Sequence, residues 1–228
     1  IAIFKTLINQ FDLGKINPKI VLGHSLGEYS ALVANNTLSI ADASKLIKIR
    51  GNLMHSAIEP NVSGMAAIIG KNCKFIENVI SNHNMDVEVA NDNSLIQVVI
   101  SGFLDNIDSY KSIFLSEGVK KYIKLNVSAA FHSKYMLEAQ NKLNLEIDNI
   151  SLSNNTLPII SNYDAKINSE KEKSIKALKK QMANKVNWTD SIKTLEKTNI
   201  LDVIEIGPGK VLSGLISRIS KKFDIKSI

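Results

Sequence analysis

The chain has 228 residues, 44% of them hydrophobic, and a formal net charge of +6. That is enough for one large domain, or for one domain carrying a smaller insert. No run of eighteen apolar residues occurs, which argues against a membrane-spanning helix, and the single Cys73 excludes an intrachain disulfide framework and a cysteine metal cluster.

The lysines are scattered rather than massed, so the positive charge points away from nucleic acid and suits an acidic protein partner. Apolar residues at Ile1, Phe4, Leu7, Ile8 and Phe11 recur at helical spacing. Residues 20–22 predict a short buried strand and residues 26–34 a helix. Ser39 and Asp42 form a capping box that opens a long helix over residues 40–55, with Leu46, Ile49 and Leu53 facing inward. Pro60 closes this unit.

The rhythm then changes. Residues 64–69 predict a strand and residues 74–81 a helix. Two strands, 87–91 and 95–100, are joined by Asp92-Asn93-Ser94 as a turn. A helix over 105–116, bounded by Gly118, and a strand over 120–127 complete the unit. Strand, helix, strand, strand, helix, strand is the order of a small ferredoxin-like unit. Beyond it, helices over 135–145, 174–183, 189–197 and 211–219 alternate with strands over 157–160 and 201–206. The predicted fold class is α/β, with a mostly parallel sheet core covered by helices on both faces. Residues 1–60 and 129–228 would form a discontinuous, hydrolase-like large domain. Residues 61–128 would form an inserted ferredoxin-like α+β subdomain.

Gly23-His24-Ser25-Leu26-Gly27 fits the nucleophile elbow G-x-S-x-G, with a strand before it and a helix after. The two glycines would allow close backbone approach. Amides at the helix start could stabilise an oxyanion above Ser25. A serine needs a base, and four histidines are available: His24, His55, His83 and His132. His24 adjoins Ser25, but neighbours on an elbow ordinarily point apart. His55 near a helix end and His83 in a polar loop read as structural or solvated. His132 follows the last strand of the insert, where the chain returns to the large domain, and is the best candidate. No histidine follows it, whereas an α/β-hydrolase places its triad histidine late, after the acid. The base would then lack a carboxylate partner, and a backbone or amide carbonyl could orient it. Gln181, Asn162 and Glu205 are polar residues at unit ends that could line the cleft. Arg50 reads, by position alone, as a snorkelling side chain.

Four segments together carry a resemblance: Gly23-His24-Ser25-Leu26-Gly27-Glu28, Arg50-Gly51 with Met54, Phe131-His132-Ser133, and residues 205–212, EIGPGKVL. The chain resembles the malonyl-CoA:acyl carrier protein transacylases of fatty acid synthesis and the related acyltransferase domains of polyketide synthases. The resemblance implies that Ser25 is acylated, that His132 is its general base, and that Arg50 holds the malonyl carboxylate. It implies an oxyanion donor in the backbone N–H of Leu26 and a main-chain carbonyl at Gln181 that orients the imidazole. His24, Asn91, Asn93 and Phe131 would line the substrate cleft, with Phe131 similar to malonyl-selective members. The implied substrate is malonyl-CoA, with no bound cofactor and no metal. Acyl carrier protein and coenzyme A thioesters are the implied partners, and a cytoplasmic monomer the implied state. Such enzymes begin with a strand and a Gly-Gln-Gly-x-Gln loop that residues 1–17 do not match. The resemblance therefore implies a missing N-terminal segment with one oxyanion donor, and leaves an organellar location open. A serine hydrolase or thioesterase, a polyketide synthase domain and an inert carrier-binding fragment are the alternatives.

Overall fold

The structure is a computed structural model and describes residues 1–10, 17–59 and 61–228. Phe11 and Pro60 lie outside the described residues.

Helix α1 (Ala2–Gln10) is followed by strand β1 (Val21–Leu22), then α2 (Leu26–Ala34) and α3 (Ile40–Ser56). The start of α3 is fixed by Ser39, whose hydroxyl oxygen accepts from the Asp42 amide at 2.9 Å, satisfying one orphan donor of the first turn. Ala43, Leu46, Arg50 and Met54 form its buried face. Ile49 and Leu53 are only half-buried, so the inward stripe is rotated from the predicted one.

Next come β2 (Ser63–Ile69), α4 (Cys73–Asn82), β3 (Val87–Ser94), β4 (Gln97–Phe103), α5 (Leu104–Ser109), α6 (Lys111–Ser116) and β5 (Lys121–Lys124). These strands make an antiparallel sheet in the order β3-β4-β2-β5. One face packs on Ile76, Val79, Ile107 and Phe114 from the helices. The other carries Met65, Ala67, Ala90 and Val99, with Phe131 against them.

Two expectations are corrected here. The helix predicted over 105–116 is broken at Tyr110 into α5 and α6. Asp92-Asn93-Ser94 is not the hairpin turn: all three are buried in β3, and the turn is Leu95-Ile96. Their polarity serves partners instead of solvent. Thr189 Oγ1 donates to Asp92 Oδ1 at 2.7 Å, and β3 is bulged between Val89 and Asn91 and between Asp92 and Ser94.

A 3₁₀ turn (Lys134–Met136) leads into α7 (Leu137–Asp148), β6 (Ile159–Ile160), β7 (Ile167–Asn168), α8 (Lys171–Leu178), α9 (Trp188–Glu196), β8 (Asp202–Glu205), α10 (Val211–Ile219) and β9 (Asp224–Ser227). β1 pairs β6 in parallel, β6 pairs β7 antiparallel, and β8 pairs β9 in parallel as a separate sheet. β7 and β9 were not anticipated from sequence. Tyr29, Leu32, Leu46, Met136 and Leu143 centre one core; Trp188, Ile192 and Leu215 centre another. The two sets of elements meet where Val186 exchanges backbone bonds with β3, its N–H donating to Ala90 O at 2.9 Å and its carbonyl accepting from Asp92 N at 3.0 Å. No helix among the described residues is long and apolar enough to cross a membrane.

Phe114 is fully buried under the four-stranded sheet. Phe114→Ala should lower unfolding free energy by about 3–5 kcal/mol, measured by urea denaturation.

Candidate active site

β1 ends one residue before Gly23, and α2 begins one residue after Ser25. The turn between them forces Ser25 to φ 50°, ψ −106°, a backbone region that L residues rarely occupy. Gly23 makes the turn possible, because a Cβ there would lie 2.1 Å from the Gly27 carbonyl oxygen. A Cβ on Gly27 meets nothing, so the expected need for two glycines holds only at the first. Asn162, just beyond β6, clamps the backbone that leads into the strained residue. Its Oδ1 accepts from Ser25 N at 2.6 Å and its Nδ2 donates to Gly23 O at 2.7 Å. Asn187 N–H donates in turn to Asn162 O at 2.9 Å.

The Ser25 hydroxyl lies 2.7 Å from His132 Nε2, and His132 Nδ1 lies 3.1 Å from the Gln181 carbonyl oxygen. The carbonyl can only accept, so Nδ1 carries the proton and Nε2 is free to take one from Ser25. The imidazole is buried, and burial first, then the Arg50 charge, hold its pKa down to about 3. It is neutral at neutral pH.

Arg50 is buried on α3 with 7% of its surface exposed, not snorkelling. Its Nη2 donates to Ser25 Oγ at 2.9 Å and, at a longer 3.4 Å, to Gln181 Oε1. Its guanidinium carbon sits 5.5 Å over the Tyr29 ring, and its Nε is buried with no hydrogen-bond partner among the described residues. Burial pulls its pKa down, yet a guanidinium remains charged in proteins. It makes no ion pair with a carboxylate among the described residues.

Gln181 touches every part of the site. Besides its carbonyl, its Nε2 donates to Ser25 O at 2.9 Å and to Glu28 Oε2 at 2.7 Å. Glu28 is buried on α2 and also accepts from Asn162 N at 3.3 Å; burial lifts its pKa to about 7.

Leu26 opens α2, so its N–H is among those a helix start leaves without an intrahelical acceptor. His24 engages Asn93 rather than Ser25: its Nε2 lies 2.8 Å from Asn93 Oδ1, and its ring centroid 5.4 Å from that of Trp188. Burial lowers its pKa. Asn91 is buried beside Val186, and Phe131 packs between the two sides just before His132. A cavity of about 320 Å³ runs between Glu77, Ile80 and Val89 on one side and His132, Asn184 and Lys185 on the other.

Of the polar residues placed near the cleft by sequence, Gln181 and Asn162 are in the site. Glu205 is not: its carboxylate accepts from the amides of Leu212 and Ser213 and caps α10. His55 is exposed, and His83 is exposed beside Glu117. Glu28 is the residue that sequence reasoning missed. An acidic side chain inside an otherwise apolar helix was the available signal.

A serine hydroxyl hydrogen-bonded to a buried neutral imidazole, set on an elbow in an α/β fold, is an arrangement that can carry covalent acyl transfer. The chain matches the acyl transferase domain model over residues 1–227 and belongs to that family. It is similar to the malonyl CoA-acyl carrier protein transacylase of Bacillus subtilis, 35% identical over 219 residues, covering 95% of this chain and 69% of that protein. An acyl-carrier-protein-S-malonyltransferase from Bartonella henselae superposes with TM-score 0.93 at 33% identity, covering 100% of this chain and 73% of that one. A malonyl-transacylase solved in complex with its type II polyketide acyl-carrier protein superposes with TM-score 0.91 at 31% identity, covering 99% and 72%.

Gly23→Ala should cost about 3 kcal/mol or more and Gly27→Ala far less, by thermal melting. A second prediction concerns pH. An unfolded histidine binds a proton near pH 6.5, but native His132 only near 3. Its contribution to stability is therefore present above pH 6.5 and lost as pH falls towards 3. Glu28, raised from 4.5 to about 7, acts oppositely: its contribution is present below 4.5 and lost as pH rises to 7. The two slopes oppose between pH 4.5 and 6.5. Relative to wild type, His132→Leu should gain stability as pH falls from 6.5 to 4.5, read from urea midpoints across that range.

Proposed function

We propose that the chain transfers a malonyl group from malonyl-CoA to the phosphopantetheine thiol of acyl carrier protein, through a malonyl ester on Ser25. One observation carries this reading: a single hydroxyl, Ser25 Oγ, lies within hydrogen-bond reach of both the His132 imidazole and the Arg50 guanidinium. Base and carboxylate anchor thus converge on the nucleophile. The named malonyl transacylases that resemble the chain support the same substrate, and the complex with a carrier protein supports the acceptor.

The chemistry follows from the groups. His132 Nε2 takes the Ser25 proton as Oγ attacks the thioester carbonyl carbon. The Leu26 N–H stabilises the oxyanion. The C–S bond breaks, and the departing sulfur takes the proton from His132, leaving malonyl-Ser25 and free coenzyme A. In the second half, His132 deprotonates the carrier thiol, which attacks the ester carbonyl, and Ser25 Oγ recovers the proton. This is ping-pong covalent catalysis. The carbonyl of Gln181 keeps the imidazole in the required tautomer throughout.

Arg50 links selectivity to rate. Its charge depresses His132, and it makes no direct ion pair with a carboxylate among the described residues. A malonyl carboxylate would pair with it through charge-assisted bonds and relieve that depression. An acetyl group would do neither and would leave a buried cation unpaired.

This reading divides the chain at residues 60/61 and 128/129 into a large hydrolase-like domain and an inserted ferredoxin-like subdomain. The order β3-β4-β2-β5 supports the second; in the first, the pairs β1–β6 and β8–β9, in two separate sheets, are parallel and favour a mostly parallel arrangement, whereas β6–β7 is antiparallel. The substrate cleft lies between them, lined by His24, Asn91, Asn93 and Phe131. The chain works as a cytoplasmic monomer, and its net charge of +6 suits an acidic carrier.

Malonyl-CoA should add one malonyl group to the intact protein, mapped by mass spectrometry to Ser25 and absent from Ser25→Ala. Carrier protein should then take up the group. Release only as free malonate would instead mark a hydrolase. Arg50→Ala should lower malonyl transfer by about 100-fold and acetyl transfer much less; equal losses would remove the anchor role.

A further inference from the structure

We propose that Glu28 is a positioning residue of this site: by holding the side-chain amide of Gln181 it aims one acceptor at Arg50 and keeps the other on His132. The inference rests on the acyl-transfer reading above.

The geometry leaves Gln181 little choice. A carboxylate only accepts, so the Gln181 NH₂ group must face Glu28 Oε2, 2.7 Å away, while also reaching Ser25 O at 2.9 Å. Its amide oxygen is thereby turned to Arg50 Nη2. That nitrogen is the one that also reaches Ser25 Oγ. The same residue's main-chain carbonyl takes the His132 Nδ1 proton. Glu28 belongs to the elbow helix, and its own N–H bonds Ser25 O at 3.0 Å. Nucleophile, base and anchor are therefore all referred to one carboxyl group.

Glu28 is also a carboxyl group whose charge acts on Arg50. The charged or titratable groups around it are Tyr29 on its own helix, Arg50 from α3, and Asp164 after β6. Ser161, Asn162 and Gln181 supply its neutral neighbours. Its Oε1 is buried without a hydrogen-bond partner among the described residues, and burial, outweighing its hydrogen bonds, brings the ionised and protonated forms into balance near pH 7. Ionised Glu28 offsets the Arg50 charge that depresses His132. The imidazole then becomes a better base, and acylation speeds up as pH rises through about 7. His132 itself, titrating near 3, cannot supply that limb.

Two variants of the full chain separate hydrogen bond from charge. Glu28→Gln keeps an acceptor for Gln181 but cannot ionise; Glu28→Ala removes both. Single-turnover acylation of Ser25 by malonyl-CoA and by acetyl-CoA is followed by mass spectrometry from about pH 5 to about pH 9. Wild type should show the limb near 7. Glu28→Gln should lose the limb yet keep the malonyl preference, whereas Glu28→Ala should lose about 10-fold or more of that preference, mainly in KM. A limb unchanged in Glu28→Gln, or a full preference in folded Glu28→Ala, would overturn the proposal. Should Glu28→Ala not fold, the Glu28→Gln profile decides alone. A fluorophosphonate, which modifies an activated serine without needing a carboxylate, runs in parallel. Wild type inert to malonyl-CoA but labelled by that probe, with a limb that Glu28→Gln abolishes, would sink the transfer reading and leave the positioning role standing.

Discussion

The site depends on one strained residue being held in place. Backbone in the region that Ser25 occupies costs on the order of 1–3 kcal/mol and survives only where its surroundings over-determine it. Here they do. The missing Cβ at Gly23 lets the helix start close over the strand end. Asn162 then bonds both the Gly23 carbonyl and the Ser25 amide, so the turn into the serine cannot relax without breaking two short hydrogen bonds. Gln181 takes the serine carbonyl as a third restraint. The hydroxyl position follows from the backbone, and the distances to His132 and Arg50 follow from the hydroxyl.

Electrostatics complete what the backbone begins. A guanidinium, an imidazole and a carboxyl group are buried together, and no direct ion pair joins them. Amide groups stand between them instead. That arrangement leaves Arg50 charged and under-partnered among the described residues, which is unfavourable for stability and consistent with the proposed anchoring of a carboxylate. It also keeps the imidazole neutral, so a proton acceptor is present without a carboxylate to orient it. The carbonyl at Gln181 does the orienting, as a backbone group whose position is set by the turn after α8.

Local patterns were readable in the sequence where one residue type has one physical use. The elbow, the capping box at Ser39 and the βαββαβ order belong there, because glycine spacing, a hydroxyl before a helix and a change in apolar rhythm each have a local cause. Ser25 and His132 could be paired by elimination among four histidines. Arg50 could not be placed without the resemblance, since burial of an arginine depends on what packs across from it: here Tyr29, Ser25 and Gln181. Asp92-Asn93-Ser94 misled for a related reason. Polar residues ordinarily mark turns, but these three sit in a bulged strand whose partners, Val186, Thr189 and His24, come from distant parts of the chain. Glu28 went unread because its significance lies in Gln181, more than a hundred residues away.

The four-stranded unit does more than bound a cleft. Ser101 on β4 donates through its hydroxyl to Phe131 O at 2.6 Å, and Ser63 on β2 accepts from Ala130 N at 3.1 Å. Both contacts fall on the two residues before His132, which itself sits at φ 56°. His132 is therefore held at positive φ like Ser25, and part of its restraint comes from the four-stranded sheet. His24 repeats the pattern in reverse, reaching from the elbow to Asn93 on β3. Ser25 is referenced to the large set of elements, and His132 to both sets, through the two residues before it and through the Gln181 carbonyl. The 2.7 Å between them is then a measure of how the two sets are docked. The paired backbone bonds at Val186 are placed to fix that docking, since they tie β3 to the segment that follows Gln181.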